Sequence, residues 1–176
     1  MVNIILIVIA LAIALVLIAA ALQPAEFKVT RNSTMNAPAS VIFAHVNNLH
    51  NWEAWSPWAK LDPNAKNAFE GPPQGVGAKM SWAGNNKVGT GSMTITESRP
   101  DDFIQFKLEF LKPMQATNTA EFSFPPNAKQ TTVTWCMYGK NNFLGKLMGL
   151  IMNCDKMVGG QFEQGLQSLK AIVEKK

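Results

Sequence analysis

The sequence predicts an α+β protein in which one apolar N-terminal helix precedes a curved antiparallel sheet wrapped around a long C-terminal helix. Three observations predict this. No Lys, Arg, Asp or Glu occurs before Glu26. About eighty central residues alternate apolar and polar side chains between Gly and Pro turns, the period of half-buried strands. The last third returns to apolar spacings of three and four, the period of an amphipathic helix.

The first element is Val2 to Leu22, VNIILIVIALAIALVLIAAAL, whose only strongly polar member is Asn3. A helix of that length spans about 30 Å of hydrocarbon. We expect residues 1–23 to be a single-pass transmembrane anchor and residues 24–176 to be one folded domain. A cleaved signal peptide is the rival reading, because Ala19-Ala20-Ala21 offers small residues for cleavage and Pro24 follows. The apolar run exceeds the usual signal core of about 7–15 residues and has no basic lead, which favours the anchor. Lys28 and Arg31 against Glu26 lean the body towards the cytoplasmic side. Asn32-Ser33-Thr34 matches the glycosylation triplet, a pattern frequent by chance.

In the body, Glu26 to Met35 alternates as a strand with Phe27 and Val29 on one face, and Asn36-Ala37-Pro38 ends it. Pro38 suits the first turn of a short helix running through Val41, Ile42, Ala44, His45 and Val46. A second helical piece, Leu49 to Ala54, runs into Ser56-Pro57. A meander follows, with turns at Gly71-Pro72-Pro73, Gly75, Gly84-Asn85-Asn86, Pro100-Asp101 and Pro125-Pro126-Asn127. Its apolar face carries Ala78, Met80 and Trp82, then Met93 and Ile95, then Ile104, Phe106, Leu108 and Phe110. Ala116, Asn118, Ala120, Phe122 and Phe124 continue that face, followed by Val133, Trp135 and Met137. Lys79, Gln105, Lys107 and Glu109 lie opposite, so one face is apolar and one is wet. Phe143 to Met152 and then Cys154 to Glu174 read as helices. Phe162, Leu166, Leu169 and Ile172 or Val173 form the buried stripe of the second.

Composition excludes some function classes. The chain has 176 residues and a net charge of +4, with its basic residues scattered singly apart from Lys175-Lys176. Nucleic-acid binding needs a clustered basic stripe, so none is expected. Cys136 and Cys154 have neither metal-ligand nor redox spacing. His45 and His50, the two histidines, are five apart and fall on different faces of a helix, so no metal site is expected. Gly84, Gly89 and Gly91 lack the Lys-Ser or Lys-Thr of a phosphate loop and read as turn glycines.

Particular residues add a resemblance to this order. They are Met35-Asn36-Ala37-Pro38, Val41-Ile42-Phe43, Asn47-Asn48, and Trp52-Glu53-Ala54-Trp55-Ser56-Pro57-Trp58 with Asp62. Gly75-Val76-Gly77-Ala78, Trp82, Gly89-Thr90-Gly91-Ser92-Met93, Asn118-Thr119-Ala120-Glu121-Phe122, Thr134-Trp135 and Phe162-Glu163-Gln164-Gly165-Leu166 with Leu169-Lys170 follow. Together they resemble the SRPBCC superfamily of START-like, polyketide-cyclase and dehydrase-like domains, from Glu26 to Glu174. The resemblance implies a helix-grip fold whose cavity, between sheet and final helix, receives hydrophobic ligands. It implies no single reaction, since such folds host carriers, cyclases, hydrolases and co-chaperone-like modules.

The leading expectation is non-catalytic binding of a hydrophobic small molecule or lipid at a membrane, with no cofactor. Trp82, Phe106, Phe110, Trp135, Phe162 and Leu166 are expected to wall the cavity and Asn118, the one polar residue on the inner face, to orient the ligand. A cyclase or dehydratase is the alternative, with Glu53 or His50 moving protons. Asp62, Asp155 and Glu163 are further carboxylates, each equally explained as surface charge. A membrane-tethered interaction module is the third reading. Trp52, Trp55 and Trp58 could line an entrance, lie at a membrane interface or pack the core.

Overall fold

A computed structural model describes residues 2–125, 130–151 and 153–175. In chain order it has α1 (Val2–Ala21), β1 (Glu26–Met35), α2 (Ala39–Asn47), a 3-10 turn (Leu49–Asn51), α3 (Trp52–Trp55) and α4 (Pro57–Leu61). Six strands follow, β2 (Lys66–Glu70), β3 (Lys79–Ala83), β4 (Thr90–Arg99), β5 (Phe103–Lys112), β6 (Ala116–Ser123) and β7 (Thr131–Lys140). The last two elements are α5 (Phe143–Gly149) and α6 (Cys154–Val173). The strands form one antiparallel sheet in the order β1-β7-β6-β5-β4-β3-β2. Register shifts between β4 and β5, at Thr90/Gly91 and Ile95/Glu97, are places where a strand bends and its twist increases. The sheet curves around α6, the helix-grip arrangement expected from the order of elements.

Alternation decides the core as expected. Val29, Met93, Ile95, Ile104, Phe106, Phe122, Val133 and Trp135 are buried on one face. From α6, Phe162, Leu166 and Leu169 meet them, while Ile172 and Val173 are both half-buried against the same core. Asn153 caps α6, its Oδ1 accepting from Lys156 N at 2.9 Å. A clamp ties α6 to β1. The Arg31 guanidinium donates to both Asp155 carboxylate oxygens, at 3.0 and 2.9 Å, and to Glu163 Oε1 at 2.6 Å. Gly159 makes room for it, since a Cβ there would collide with the guanidinium.

Several local expectations are corrected. The chain does not turn to strand after Ser56-Pro57, because Pro57 takes the first position of α4, where its missing N–H and fixed φ suit a helix start. Pro38 stands one residue earlier than expected, as the cap of α2. Gly91 is not a turn residue; it lies inside β4, under Trp82, whereas Gly89, at φ +71°, is the turn glycine proper. Cys136 points to the outer face yet is buried, and Thr30 Oγ1 donates to its sulfur. Among the expected features, Pro126 and Asn127 of one turn and Met152 at the end of one helix lie outside the described residues.

The N-terminal helix α1 is long and apolar enough to cross a membrane. Its last turn meets the body, where Ala20 is buried and α5 packs against it. Lys146 Nζ reaches the Ala21 carbonyl at 3.4 Å, and Asn141 N donates to the Ala25 carbonyl at 2.8 Å.

Candidate functional site

Between the inner face of the sheet and the N-terminal half of α6 lies a cavity of about 460 Å³. The sheet contributes Met80, Trp82, Met93, Phe106, Leu108, Phe110, Ala120, Trp135 and Met137 to its wall, and α6 contributes Val158 and Phe162. Trp52 and Trp58 close the side formed by α3 and α4.

Small residues at particular places make this space. Ala120 pairs with Phe106 on one side and Met137 on the other, so a methyl group stands between two long side chains and leaves the centre of the wall open. At Gly91 a Cβ would lie 2.6 Å from the Trp82 ring and 2.5 Å from the Glu109 carbonyl oxygen; without one, the indole can approach the β4 backbone closely. At Gly165 a Cβ would come within 2.8 Å of the Trp135 ring, so its absence lets α6 settle onto the sheet there. The Trp135 and Phe162 rings stack at 4.0 Å, with planes 8° apart. That stack joins helix to sheet at one border of the cavity.

The tryptophans resolve as core with one edge on the cavity. Trp55 is fully buried, while Trp52 is buried with its Nε1 donating to the Val46 carbonyl at 2.9 Å. Trp52 meets Phe106 edge to face at 5.4 Å and Trp58 meets Trp135 likewise at 5.8 Å, an arrangement favoured by the ring quadrupoles.

The seven residues singled out from sequence divide by position. Trp82, Phe106, Phe110, Trp135 and Phe162 are in the cavity wall. Leu166 and Asn118 are buried outside its lining. Asn118 sits beside the wall residue Leu108 in register, against Gly139, and its Oδ1 has no hydrogen-bond partner among the described residues. Trp135 Nε1 is likewise buried without one.

The titratable groups are sparse. Glu53 and Asp62 border the cavity on the α3 and α4 side, Glu53 accepting from Asn67 Nδ2 at 2.9 Å and Asp62 from Asn85 N at 2.6 Å. His50 stacks on Phe69, ring centres 3.8 Å apart, in a separate shallow hollow away from the cavity. Asp155 and Glu163, open candidates from sequence, serve the Arg31 clamp instead. Its hydrogen bonds hold Asp155 below the usual carboxylate range and push Arg31 above its own ordinary value. Cys154 is exposed to solvent, yet partial desolvation by its neighbours, then the Asp155 charge, push its thiol up, away from nucleophilic chemistry. Among the described residues no group of His, Cys, Asp or Glu could hold a metal ion.

Sequence reasoning missed the clamp, although Gly159-Gly160 inside a helix was a usable signal. A helical glycine costs about 1 kcal/mol against alanine, and Gly159 marks a close approach, whereas a Cβ at Gly160 would meet nothing.

Residues 26–174 match the family described as polyketide cyclase / dehydrase and lipid transport. The chain belongs to this family. Solved structures with the same fold accompany it. CV1439 from Chromobacterium violaceum is similar over 88% of this chain and 100% of its own, at 14% identity and a TM-score of 0.61. The di-domain ARO/CYC BexL from the BE-7585A biosynthetic pathway matches 90% of this chain with 53% of its own length, at 16% identity and a TM-score of 0.63. The Aha1 dimer from Colwellia psychrerythraea matches over 84% and 96%, at 16% identity and a TM-score of 0.54. At such identities these neighbours show the fold alone. No curated protein matches the chain. The family description joins cyclase chemistry to lipid transport, and both need a cavity that takes a hydrophobic ligand.

Proposed function

We propose that this protein binds a hydrophobic small molecule or a lipid acyl chain in the cavity, without chemistry, at a membrane. Residues 1–23 anchor it and residues 24–176 are the binding domain, on the cytoplasmic side in this reading. The observation that carries the proposal is the cavity itself: about 460 Å³ walled mainly by aromatic and aliphatic side chains. Sites for small ligands typically measure about 300–1,000 Å³ and are lined in this way. Trp82, Phe106, Phe110, Trp135 and Phe162 supply apolar burial, worth about 25 cal/mol per Å². Leu166 backs that wall. Asn118, expected to orient the ligand, lies beside Leu108 behind the lining and in this reading supports the wall; its Oδ1 and the Trp135 Nε1 are both buried and do not face the cavity. No cofactor and no nucleic acid enter this reading.

One observation favours a second reading, a cyclase or dehydratase: the carboxylates of Glu53 and Asp62 border the cavity. Glu53 would move the proton there, while His50 lies apart.

Native mass spectrometry of the full chain from detergent, with lipid extraction of the same sample, tests the first reading. A stoichiometric co-purifying hydrophobe that disappears in Ala120→Trp supports it. A protein that is empty and takes up no offered fatty acid refutes it.

A further inference from the structure

Strand register places Glu26, Lys140, Ala116, Lys112 and Ala83 at one end of the sheet, where α1 joins the body. α5 follows β7 at that end and packs on α1. The fold leaves much apolar surface uncovered here. Leu144 and Met148 on α5, Ile151 after it, Met157 in α6, Leu111 near the end of β5 and Met114 between β5 and β6 are all exposed, Ile151 to 82%. Outside α1 and Leu22, the large exposed apolar side chains away from this end are Val41 and Val76 among the described residues. Soluble surfaces scatter such residues; a concentration at one end marks an interaction surface.

The charge around this patch has one dominant sign. Lys87, Lys112, Lys140, Lys146 and Lys156 all belong to the same end by strand register or chain position. None of them is in an ion pair among the described residues. Exposed apolar side chains and these five unpaired lysines against Glu26 at one end of the sheet, beside a helix able to cross a bilayer, match the interfacial layer of an anionic membrane.

We propose that α5 and residues 150–157 lie in the headgroup layer of an anionic bilayer beside α1, and that part of the cavity wall faces that layer. The inference rests on reading α1 as a spanning anchor. Part of the cavity wall shares this orientation: Trp82 and Phe110 flank Gly91 in register near the end of the sheet and with Val88 and Val158 are half-buried, while the exposed lining residues Glu53, Pro63 and Asn67 carry the opening to the α3, α4 and β2 side. An acyl chain then passes between bilayer and cavity along that half-buried part of the wall.

Depth-dependent fluorescence quenching tests this on the full chain in nanodiscs of phosphatidylcholine and phosphatidylglycerol. The exposed Cys154 is replaced by Ser, and bimane is attached in turn at Leu144→Cys, Ile151→Cys, Val76→Cys and Ala12→Cys. All four positions are exposed, so the labels leave the core intact. Nitroxides near the headgroups should quench the Leu144 and Ile151 labels at least about threefold more than the Val76 label, while mid-bilayer nitroxides quench the Ala12 label. Quenching at Ala12 with none above the Val76 level at Leu144 and Ile151 overturns the docking and leaves the anchor standing. No quenching at Ala12 overturns both. Labels at Leu144 and Ile151 that escape lipid nitroxides but transfer energy between copies assign the patch to a second chain instead, which also overturns the proposal.

Discussion

Ala120→Trp isolates the cavity from the rest of the fold. Ala120 is buried at mid-wall between Phe106 and Met137, and its methyl group borders open space, so an indole there enters the cavity without displacing either neighbour's backbone. A buried tryptophan covers about 200 Å² of apolar surface. A ligand losing contact with that area forfeits about 5 kcal/mol at 25 cal/mol per Å², an upper bound of between three and four orders of magnitude in affinity. Titration of the full chain in nanodiscs with a dansyl-labelled fatty acid reads the loss, and a thermal melt beside it reports folding. The melting temperature should hold or rise, because the new side chain fills space. Probe affinity within about threefold of the parent, in a folded variant, would refute the assignment of ligand to this cavity.

The other predictions concern the helix clamp, the floor of the cavity and the carboxylate at its border. Asp155 is held below its ordinary value by its hydrogen bonds to Arg31, so the clamp is complete above the ordinary aspartate pKa of about 4 and is lost as pH falls through the lower folded-state value. Amide protection in the first turns of α6, taken relative to intrinsic exchange at each pH, should therefore fall only in strong acid, whereas Arg31→Met should have low protection already at neutral pH; protection unchanged by the substitution would remove the clamp's role. Gly91→Ala places a Cβ 2.5 Å from the Glu109 carbonyl oxygen, and should lower stability by about 1–3 kcal/mol in urea denaturation while turning Trp82 out of the wall. Glu53→Gln should leave a co-purified hydrophobe and probe affinity within about twofold, since the carboxylate borders the cavity and burial drives binding; loss of the ligand would point to Glu53 as a binding group.

The fold was legible because strands of one sheet repeat the same binary pattern. Ile104, Phe106, Leu108 and Phe110 could be assigned to one face from spacing alone, and the stripe of α6 likewise. Alternation fixes the face of a side chain but not its place along the strand. Asn118 is on the inner face as expected, yet stands beyond the cavity lining, whereas Phe106 faces the cavity directly. Pro57 misled because a proline interrupts a helix from within but starts one at its first position. The Arg31 clamp went unread for another reason: its carboxylates lie 124 and 132 residues away, and the local sign, Gly159 inside α6, marks a close approach without naming the partner.

Protein interiors pack like organic crystals, and an unfilled apolar void costs about 24 cal/mol per Å³. The cavity of about 460 Å³ is open on one side, so only its enclosed, dry part carries that cost. Water is a poor filler along Met93, Phe106, Ala120 and Phe162, because each water needs two to four polar partners, and the carboxylates sit only on the α3 and α4 side. Binding of an apolar molecule relieves this cost in the folded state and not in the unfolded one. Stability and occupancy are therefore linked: the body should melt higher in proportion to the logarithm of ligand concentration. The clamp at Arg31 and the stack of Trp135 on Phe162 keep α6 from collapsing into the space, which is how a sequence rich enough in apolar residues to fill its core holds a cavity open instead.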